Sequence, residues 1–335
     1  MVTYKESGVD ISAGEETIRR IKPLVRSTFT EGVLVDIGSF GAFFAPPWQE
    51  FREPVIVASV DGVGTKLAVA AACSRHDTVG QDLVNHCVND IAVCGAVPMF
   101  FMDYFATGRL DPDRTVSVIE GFTIACRENG CALIGGEMAE MPGMYSADDY
   151  DIAGTIVGIV DRRRIVDGAG IEDGNVIVGL PSTGLHTNGY SLARKVLFSK
   201  FDVKDAPEEL GGETIGDALL RVHRSYLKPI RRLVENDLVS GLAHITGGGI
   251  EGNTRRIIPE GLAVDIDWGS WERPAIFRLI QDLGHVPEAD MRATFNLGIG
   301  FVAVMRHDLL DNVLALLKNM GERPLVIGNV TSSGA

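Results

Sequence analysis

Long apolar runs and disulfide-type cysteine patterns are both missing from this 335-residue sequence. No stretch stays apolar over the roughly 20 residues that a helix needs to cross a bilayer, and the segment Met1–Glu6 has no apolar signal core. The five cysteines form no CxxC pair, and most lie in apparent helices among apolar residues. We therefore expect a soluble, cytoplasmic protein whose thiols are buried and free.

Basic residues are also scarce, since 31 Lys and Arg stand against 45 Asp and Glu, a formal net charge of −14. Such a balance argues against a protein built to grip nucleic acid or an anionic membrane, and we expect neither as a partner. A phosphorylated small-molecule substrate stays open, because local cations and helix N-termini can hold phosphate inside an acidic protein.

Short repeats and low-complexity tracts are absent too, whereas glycine is abundant at 39 residues, which suggests tight turns or close approach of backbone to a ligand. The length favours two domains. Strand-like and helix-like segments mix in both halves, which predicts an α/β (or α+β) class with two mixed-sheet domains. The glycine-rich, charged segment 161–174 predicts the boundary, giving domains 1–165 and 166–335.

The sequence Asp61-Gly62-Val63-Gly64-Thr65-Lys66 follows a continuous β-rich run. A carboxylate at a strand end, two glycines and a Thr-Lys pair that opens a helix are typical of a phosphate site beyond a strand. The pattern is not a Walker A motif, because GxxxxGK[ST] is absent. An acidic turn that caps a helix explains the same residues without a ligand.

The predicted helix from Thr78 to Cys94 carries polar residues that a largely apolar helix does not need. Asp82, His86 and Asp90 recur at four-residue spacing on one face, although aspartate is a poor mid-helix residue. Oxygen ligands without clustered Cys or His suit Mg²⁺. A solvated helix face is the alternative, and His86 by itself is more typical of a structural histidine.

Three further glycine-rich or polar turns follow predicted strands. The segment 135–142 carries two glycines and two carboxylates, which suit a metal or a substrate amine, or simply a surface loop. The segment 182–189 precedes a predicted helix and contains three hydroxyl side chains together with His186 and Asn188. So many polar side chains in one turn are typical of a site for a polar substrate. The triple glycine of 247–249 precedes a helix and could wrap a phosphate with backbone N–H groups.

Together these segments resemble the phosphoribosylformylglycinamidine cyclo-ligase family, also called aminoimidazole ribonucleotide (AIR) synthetase. The matching stretches keep the family's order over nearly the whole chain and include Tyr4-Lys5, Gly8–Asp10, Asp61–Lys66, His76–Thr78, Asp82–Val84, Cys87–Asp90, Phe101–Tyr104, Gly135–Glu137, Ala139–Tyr145, Asn188–Leu192 and His244–Gly249. Departures also occur: Ser39 stands where glycine is common, Met138 where threonine is usual, and Thr183 and Thr187 where serines are common. Met138 puts a hydroxyl contact at that position in doubt.

The resemblance implies a ligase that forms a C–N bond. Formylglycinamidine ribonucleotide (FGAM) and ATP would give AIR, ADP and phosphate, a step of de novo purine synthesis. The implied cofactors are ATP and Mg²⁺, and a requirement for a monovalent cation such as K⁺ stays open. The implied assembly is a homodimer in which the N-terminal sheets of two subunits pair into a shared barrel.

The resemblance also implies roles for particular residues. Lys22 would lie in a mobile N-terminal segment near ATP. Asp61 and Asp90, with Glu137, would bind magnesium and triphosphate, and Lys66 would supply charge to phosphate. The other residues expected around ATP are Gly38, Phe40, Gly41, Gly62, Gly64, Thr65 and Asn89. We hypothesise that His186 and Asn188 touch the formyl or phosphoryl oxygens, and that Thr246, Gly247, Gly248 and Gly249 hold the substrate's phosphate or backbone. Catalysis would depend on His186, Asp61, Asp90 and Lys22.

Related activities on the same architecture fit the sequence less well. A selenophosphate synthetase would offer a reactive cysteine near residues 32–41, and this sequence has none there. A hydrogenase-maturation dehydratase would end in a cysteine tail, and a thiamine-phosphate kinase would not be expected to carry the Gly-Gly-Glu-x-Ala-Glu-Met-Pro segment. A catalytically silent nucleotide-binding protein is the alternative of another class, against which the retained Asp61, Lys66, Asp90, Glu137 and His186 count.

Overall fold

The computed structural model describes residues 6–333, which form two compact units. The N-terminal unit runs up to Ile91 and includes Pro98–Ile159, and the C-terminal unit consists of Ala92–Val97 and the chain from Val160 onward. The assignment of Ala92–Val97 to the C-terminal unit was not part of the expected division into 1–165 and 166–335. Within residues 6–333, no helix combines the length and apolarity that crossing a membrane would require. Residues 1–5, which include Tyr4 and Lys5 of the family resemblance, and residues 334–335 lie outside the described range.

The N-terminal unit contains a mixed four-stranded sheet. Its elements in chain order are α1 (Ile11–Arg26), β1 (Pro54–Gly62), α2 (Lys66–Cys73), α3 (Asp77–Ala92), β2 (Val97–Thr107), α4 (Pro112–Asn129), β3 (Ala132–Glu140) and β4 (Tyr150–Asp161). The strand order is β1-β4-β2-β3, and β2 pairs with β3 in parallel. Strands β1 and β3 thus form the two opposite edges of this sheet.

Helix α4 shows how local sequence sets the limits of an element. The Asp111 carboxylate accepts hydrogen bonds from the backbone N–H groups of Asp113 at 2.9 Å and Arg114 at 3.3 Å, which satisfies the start of the helix. Pro112 opens the first turn, where its missing N–H costs no helical bond. Gly130 ends the helix at φ +68°, a left-handed conformation that favours glycine. The range predicted from these signals is confirmed.

One face of the N-terminal sheet is apolar and open. Ile56 and Val60 of β1 are 46% and 68% exposed, and Met102 and Tyr104 of β2 are 36% and 39% exposed. Successive residues of a strand point to opposite faces, and Phe101 and Phe105, which flank these exposed positions of β2, are buried. The helices therefore cover one face only, and we call the other the open face, defined by Ile56, Val60, Met102 and Tyr104.

The C-terminal unit is built on a five-stranded sheet with strand order β6-β8-β5-β9-β7. Its elements are β5 (Val176–Pro181), α5 (Tyr190–Leu197), α6 (Ile215–Leu220), α7 (Leu227–Glu235), β6 (Gly241–His244), α8 (Gly249–Arg255), β7 (Leu262–Ile266), α9 (Ala275–Gly284), α10 (Glu288–Thr294), β8 (Ile299–Met305), α11 (Leu310–Asn319) and β9 (Leu325–Ser332). Each of its four strand pairs is antiparallel, whereas the sequence suggested a mixed sheet.

Three neighbouring strands of the C-terminal sheet, β6, β8 and β5, are buried on both faces, which explains their unbroken apolar sequences. Every residue of β8 is buried. Phe301 packs in one hydrophobic cluster with α7 and α11 residues, and Val302 packs in a second cluster on the opposite face. The short helices α6, α7 and α10 were not predicted. The start of α7, for example, has no side-chain cap, so the sequence carries no start signal there.

Candidate active site

Two carboxylates of the N-terminal unit, Asp61 and Asp90, converge on one imidazole. Asp61 stands near the end of β1 and Asp90 near the end of α3. Nε2 of His86, one helical turn before Asp90, lies 2.8 Å from Oδ2 of Asp61 and 3.8 Å from Oδ2 of Asp90. The structure therefore brings together the two residues to which the family resemblance gives a role in binding magnesium.

Short-range hydrogen bonds hold both carboxylates in place. The backbone N–H of Gly62 donates to Oδ1 of Asp61 at 2.6 Å, and the Ser59 hydroxyl donates to Oδ2 of Asp90 at 3.1 Å. The side chains of Asp61 and Asp90 are 40% and 26% exposed, whereas that of His86 is 6% exposed. Because the carboxylate oxygens stay open to a ligand, and because Mg²⁺ prefers one or two carboxylates plus phosphate oxygens, the donor set fits Mg²⁺.

His86 lies behind the two carboxylates. Burial disfavours its charged form, but the hydrogen bond to Asp61 and the negative charges of Asp90 and Asp82 outweigh burial, so the pKa of His86 is raised. From the sequence, His86 was predicted to have only a structural role. The contact with Asp61 comes from a different element, so no pattern within the helix could reveal it.

Lys66 is buried in an ion pair, so the structure does not support its expected contact with phosphate. Its side chain is completely buried at the start of α2, and Nζ lies 2.7 Å from Oδ2 of Asp82, which is completely buried as well. Burial lowers the pKa of Lys66, and the charge of Asp82 opposes that effect. Each member of the pair therefore compensates a charge that would be costly to bury alone.

The turn before α2 keeps other features expected of a phosphate site. Gly64 adopts φ +69°, and both Gly64 and Thr65 are exposed at the N-terminus of the helix. The backbone N–H groups and the dipole of a helix N-terminus favour anions. Asn89, by contrast, is completely buried in α3 and offers no surface to a nucleotide. Because the Asn89 side chain is buried, the structure does not support its expected contact with ATP.

A second group of expected ATP residues lines a cavity of about 660 Å³ in the same unit. The expected residues in its walls are Gly38, Phe40, Gly41 and Glu137. Lys22 of α1 reaches the rim, where Nζ lies 3.0 Å from Oδ2 of Asp36. Hydrogen bonds from Arg26 and then Lys22 hold the pKa of Asp36 well below its usual range. We call this space the loop cavity.

Glu137 belongs to the loop cavity and not to the carboxylate pair. It lies on β3, whereas Asp61 lies on β1, and two strands separate β3 from β1 in the sheet. At about 4.8 Å per strand, the two side chains originate about 14 Å apart along the sheet. Glu137 therefore cannot share one ion with Asp61 in a single chain, which corrects its expected place among the magnesium ligands.

Three buried histidines meet in the C-terminal unit. His186 follows β5, His223 lies between α6 and α7, and His244 ends β6. The rings of His186 and His223 stack with centroids 4.0 Å apart, and Nε2 of His223 lies 3.0 Å from Nε2 of His244. His223 was missed by the sequence analysis, because it stands outside the glycine-rich turns and no neighbouring residue marks it.

His186 and Asn188 lie on a strained loop beside the triple glycine. His186 has φ +61°, which is uncommon for a residue with a side chain and is often found at functional sites. A Cβ added at Gly247 would stand 3.4 Å from Oδ1 of Asn188, so the two predicted substrate loops are neighbours.

The triple-glycine loop is held by its own hydrogen bonds. The Asn253 amide donates to the backbone oxygens of Thr246, Gly247 and Gly249 at 3.3, 3.2 and 2.8 Å. The N–H groups of Gly248 and Gly249 donate to Ala293 and Thr246 at 3.0 and 3.2 Å. The N–H groups of Gly248 and Gly249 thus already donate to backbone oxygens within the protein. Of the four residues expected to contact the substrate's phosphate, Thr246 and Gly247 are therefore the ones that remain candidates.

Comparison with known families agrees with the division into two units. The model of the N-terminal domain of AIR synthase related proteins matches residues 51–160, and the model of their C-terminal domain matches residues 172–335. The chain belongs to the AIR synthase family. The Asp61–Asp90 pair lies in the N-terminal family domain, and the three histidines lie in the C-terminal one.

Family members with named activities are similar over almost the full chain. A phosphoribosylformylglycinamidine cyclo-ligase of Trichlorobacter lovleyi is 46% identical, over 98% of this chain and 95% of its own. Proteins of the same name from Desulfitobacterium hafniense and Sorangium cellulosum are 48% and 49% identical, over 98% and 99% of this chain and 96% of each of theirs.

Some solved structures with other names share the fold. A thiamine-monophosphate kinase from Stenotrophomonas maltophilia has a TM-score of 0.71 at 17% identity, over 94% of each chain. The hydrogenase maturation protein HypE, in complex with ATP, has a TM-score of 0.65 at 17% identity, over all of this chain and 90% of its own. At this identity the likeness establishes the α/β fold and nothing finer.

Proposed function

We propose that the protein is a cyclo-ligase that converts FGAM and ATP into AIR, ADP and phosphate in de novo purine synthesis. The observation that carries the proposal is the 46–49% identity, over at least 98% of the chain, to relatives named phosphoribosylformylglycinamidine cyclo-ligase. The converging Asp61 and Asp90 support it, because an ATP-dependent ligase needs a site for a metal–triphosphate complex.

The proposed reaction has two steps, activation of the formyl oxygen and ring closure. The formyl amide oxygen is a poor leaving group, so phosphoryl transfer from ATP must first activate it. The amidine nitrogen then attacks the activated carbon, a C–N bond forms, and phosphate departs. Such transfer depends on positioning and charge neutralisation more than on covalent catalysis.

The N-terminal unit would hold the nucleotide. Asp61 and Asp90 would bind Mg²⁺, which, when present, neutralises charge on the triphosphate. Gly62, Gly64 and Thr65 would meet phosphate at the start of α2. The loop cavity, with Gly38, Phe40, Gly41 and Glu137 in its walls and Lys22 at its rim, would contribute further contacts to ATP.

The C-terminal unit would hold the substrate. His186 and Asn188 would touch the formyl or phosphoryl oxygens, and Thr246 and Gly247 would hold the substrate's phosphate. The short distance between Asn188 and Gly247 supports this grouping. The buried imidazole of His223 would keep His186 in place by stacking.

Release of ADP that requires both FGAM and Mg²⁺ is the expected result for the purified protein. Removing Mg²⁺ with a chelator should abolish turnover, since the charge on the triphosphate would then be uncompensated. Adding K⁺ to potassium-free buffer tests the monovalent-cation requirement separately. Binding of ATP without FGAM-dependent ADP release would instead favour a catalytically silent nucleotide-binding protein.

We also propose that the protein is a cytoplasmic homodimer joined through the open face. Large exposed apolar patches usually mark interaction sites, and no described element of the chain covers Ile56, Val60, Met102 and Tyr104. A second copy presents the same apolar surface and can bury both. The five cysteines form no disulfide within the described residues, which supports a reducing compartment.

Charges on the open face should separate the subunits. In a variant that combines Ile56→Glu and Val60→Glu, four carboxylates would have to be desolvated per dimer, so the mass in light scattering is expected to fall from twice the chain mass to 36.0 kDa. Met320→Glu, at an exposed apolar residue of the C-terminal unit, is the matched control. A wild-type monomer, or a folded double variant that stays dimeric, would contradict the proposed interface.

A further inference from the structure

A carboxylate stands on the helix-covered face of the N-terminal sheet, where strand residues are otherwise apolar. Phe101 and Phe105 of β2 are buried on that face, and Asp103 lies between them with the same orientation. The Asp103 side chain is half-buried and lines the loop cavity beside Ile119 of α4 and Leu133 of β3. An acidic residue at such a position costs stability, so it needs a reason.

Gly136 makes the space that this carboxylate occupies. The register of β2 and β3 pairs Asp103 with Gly136. A Cβ at Gly136 would stand 2.3 Å from Oδ1 of Asp103, far inside van der Waals contact. The second glycine of the Gly135-Gly136 pair therefore lets a carboxylate lie flat on the strand at the wall of the cavity.

The Asp103 carboxylate has no cationic partner among residues 6–333, and only its own backbone offers it a hydrogen bond. Burial consequently raises its pKa to about 7. The charged or titratable groups around it are Asp36 and Glu137 in the cavity walls and the buried thiol of Cys126 on α4. No lysine, arginine or histidine of the described chain is among the lining residues, and the cations at the rim, Lys22 and Arg26, are paired with Asp36.

The cavity therefore suits a group rich in N–H donors and not a phosphate. Its volume of about 660 Å³ lies in the range of small-molecule sites. Its walls combine glycine backbone at 38, 41 and 135 with the apolar side chains of Ile18 and Ile21, which fits a flat ligand. The two oxygens of a carboxyl group match the two nitrogens of a planar N–C–N group.

We propose that Asp103 is a binding residue for a planar N–C–N edge of a ligand in the loop cavity. The proposal rests on the proposed function, whose reaction offers that chemistry twice: on the 6-amino edge of adenine in ATP and on the amidine of FGAM. A carboxyl oxygen accepts a hydrogen bond from the 6-amino N–H of adenine, and the O–H of a protonated carboxyl group donates one to ring nitrogen N1. An ionised carboxylate receives both N–H groups of an amidinium.

Asp103→Asn and Asp103→Leu distinguish the two sources. An amide keeps one acceptor and one donor in a plane, so with adenine as ligand Asp103→Asn should keep the wild-type KM for ATP. Asp103→Leu should then raise that KM about 10-fold or more. With the amidine as ligand, both variants lose the negative charge, and both should raise the KM for FGAM about 10-fold or more while the KM for ATP stays unchanged.

A measurement on the wild-type protein avoids dependence on the folding of Asp103→Leu. A triphosphate of purine riboside lacks only the 6-amino group of ATP, and a clear loss of kcat/KM with it supports adenine as the ligand. Asp148→Asn and Asp148→Leu, at a side chain that is 86% exposed, are matched controls. The proposal is overturned if the analogue performs as well as ATP and neither KM changes more than about 2-fold in folded Asp103 variants.

The same set of experiments separates the two proposals. FGAM-dependent ADP release by the wild-type protein tests the function, and the KM changes test Asp103. If the wild-type protein releases no ADP, calorimetric titration of ATP and its purine riboside analogue into wild type and Asp103→Asn still tests the adenine contact.

Discussion

Asp90→Asn is expected to lower FGAM-dependent ADP release at least about 100-fold under saturating ATP and standard Mg²⁺. The substitution keeps the shape of the side chain and its contact with the Ser59 hydroxyl, but removes one of two negative charges that converge near His86. A single carboxylate binds Mg²⁺ more weakly, so part of the lost activity should return as the Mg²⁺ concentration is raised.

The control for Asp90→Asn removes a carboxylate elsewhere on the same unit. Asp113→Asn changes an exposed residue in the first turn of α4, and its turnover should stay near that of the wild type. If Asp90→Asn retains wild-type turnover at low Mg²⁺ as well, Asp90 is not part of the metal site. Circular dichroism of the two variants should show that both keep the native fold.

The candidate site was predictable where sequence-local patterns carry the chemistry. Asp61 stands near the end of β1, at an edge of the sheet, and Asp90 lies on α3, the second helix after it, and both stood out in the sequence as acidic residues next to glycine-rich or apolar segments. The strained turn at His186 was likewise visible as a polar segment between a strand and a helix. These residues are recognisable because their neighbours in sequence are also their neighbours in space.

The remaining site features depend on contacts between distant segments. Lys66 opens a helix just after two glycines, which is typical of a phosphate ligand, yet its partner Asp82 lies sixteen positions later on another helix. Glu137 resembles a metal ligand until the strand order separates it from Asp61. His223 has no local signal at all, because only the fold brings it against His186 and His244.

In the fold, too, features set by local sequence signals were predicted and features set by contacts between distant segments were not. Helix α4 and helix α2 have the predicted limits, because caps and periodicity are local signals. The antiparallel arrangement of the C-terminal sheet was not predicted, because strands buried on both faces, as β8 is, read as continuous apolar runs that give no direction of pairing.

Lys66→Met should destabilise the protein more than any other single substitution considered for the N-terminal unit. Methionine fills a similar volume, but it leaves the Asp82 carboxylate buried without its cation. Breaking a buried pair in this way costs about 3–5 kcal/mol of unfolding free energy. Thermal unfolding followed by calorimetry should show a drop of roughly 10 °C in Tm. Arg19→Met, which removes a cation from an exposed pair with Glu16, should leave Tm unchanged.

The double variant Lys66→Met/Asp82→Leu decides between the two roles of Lys66. Replacing both members of a buried pair by apolar residues of similar volume is often neutral or stabilising, so the double variant should regain most of the Tm lost by Lys66→Met. If Lys66 only balances Asp82, the double variant should also regain FGAM-dependent turnover, measured with saturating ATP. A stable double variant without turnover would show instead that the Lys66–Asp82 pair takes part in the reaction and does more than balance buried charge.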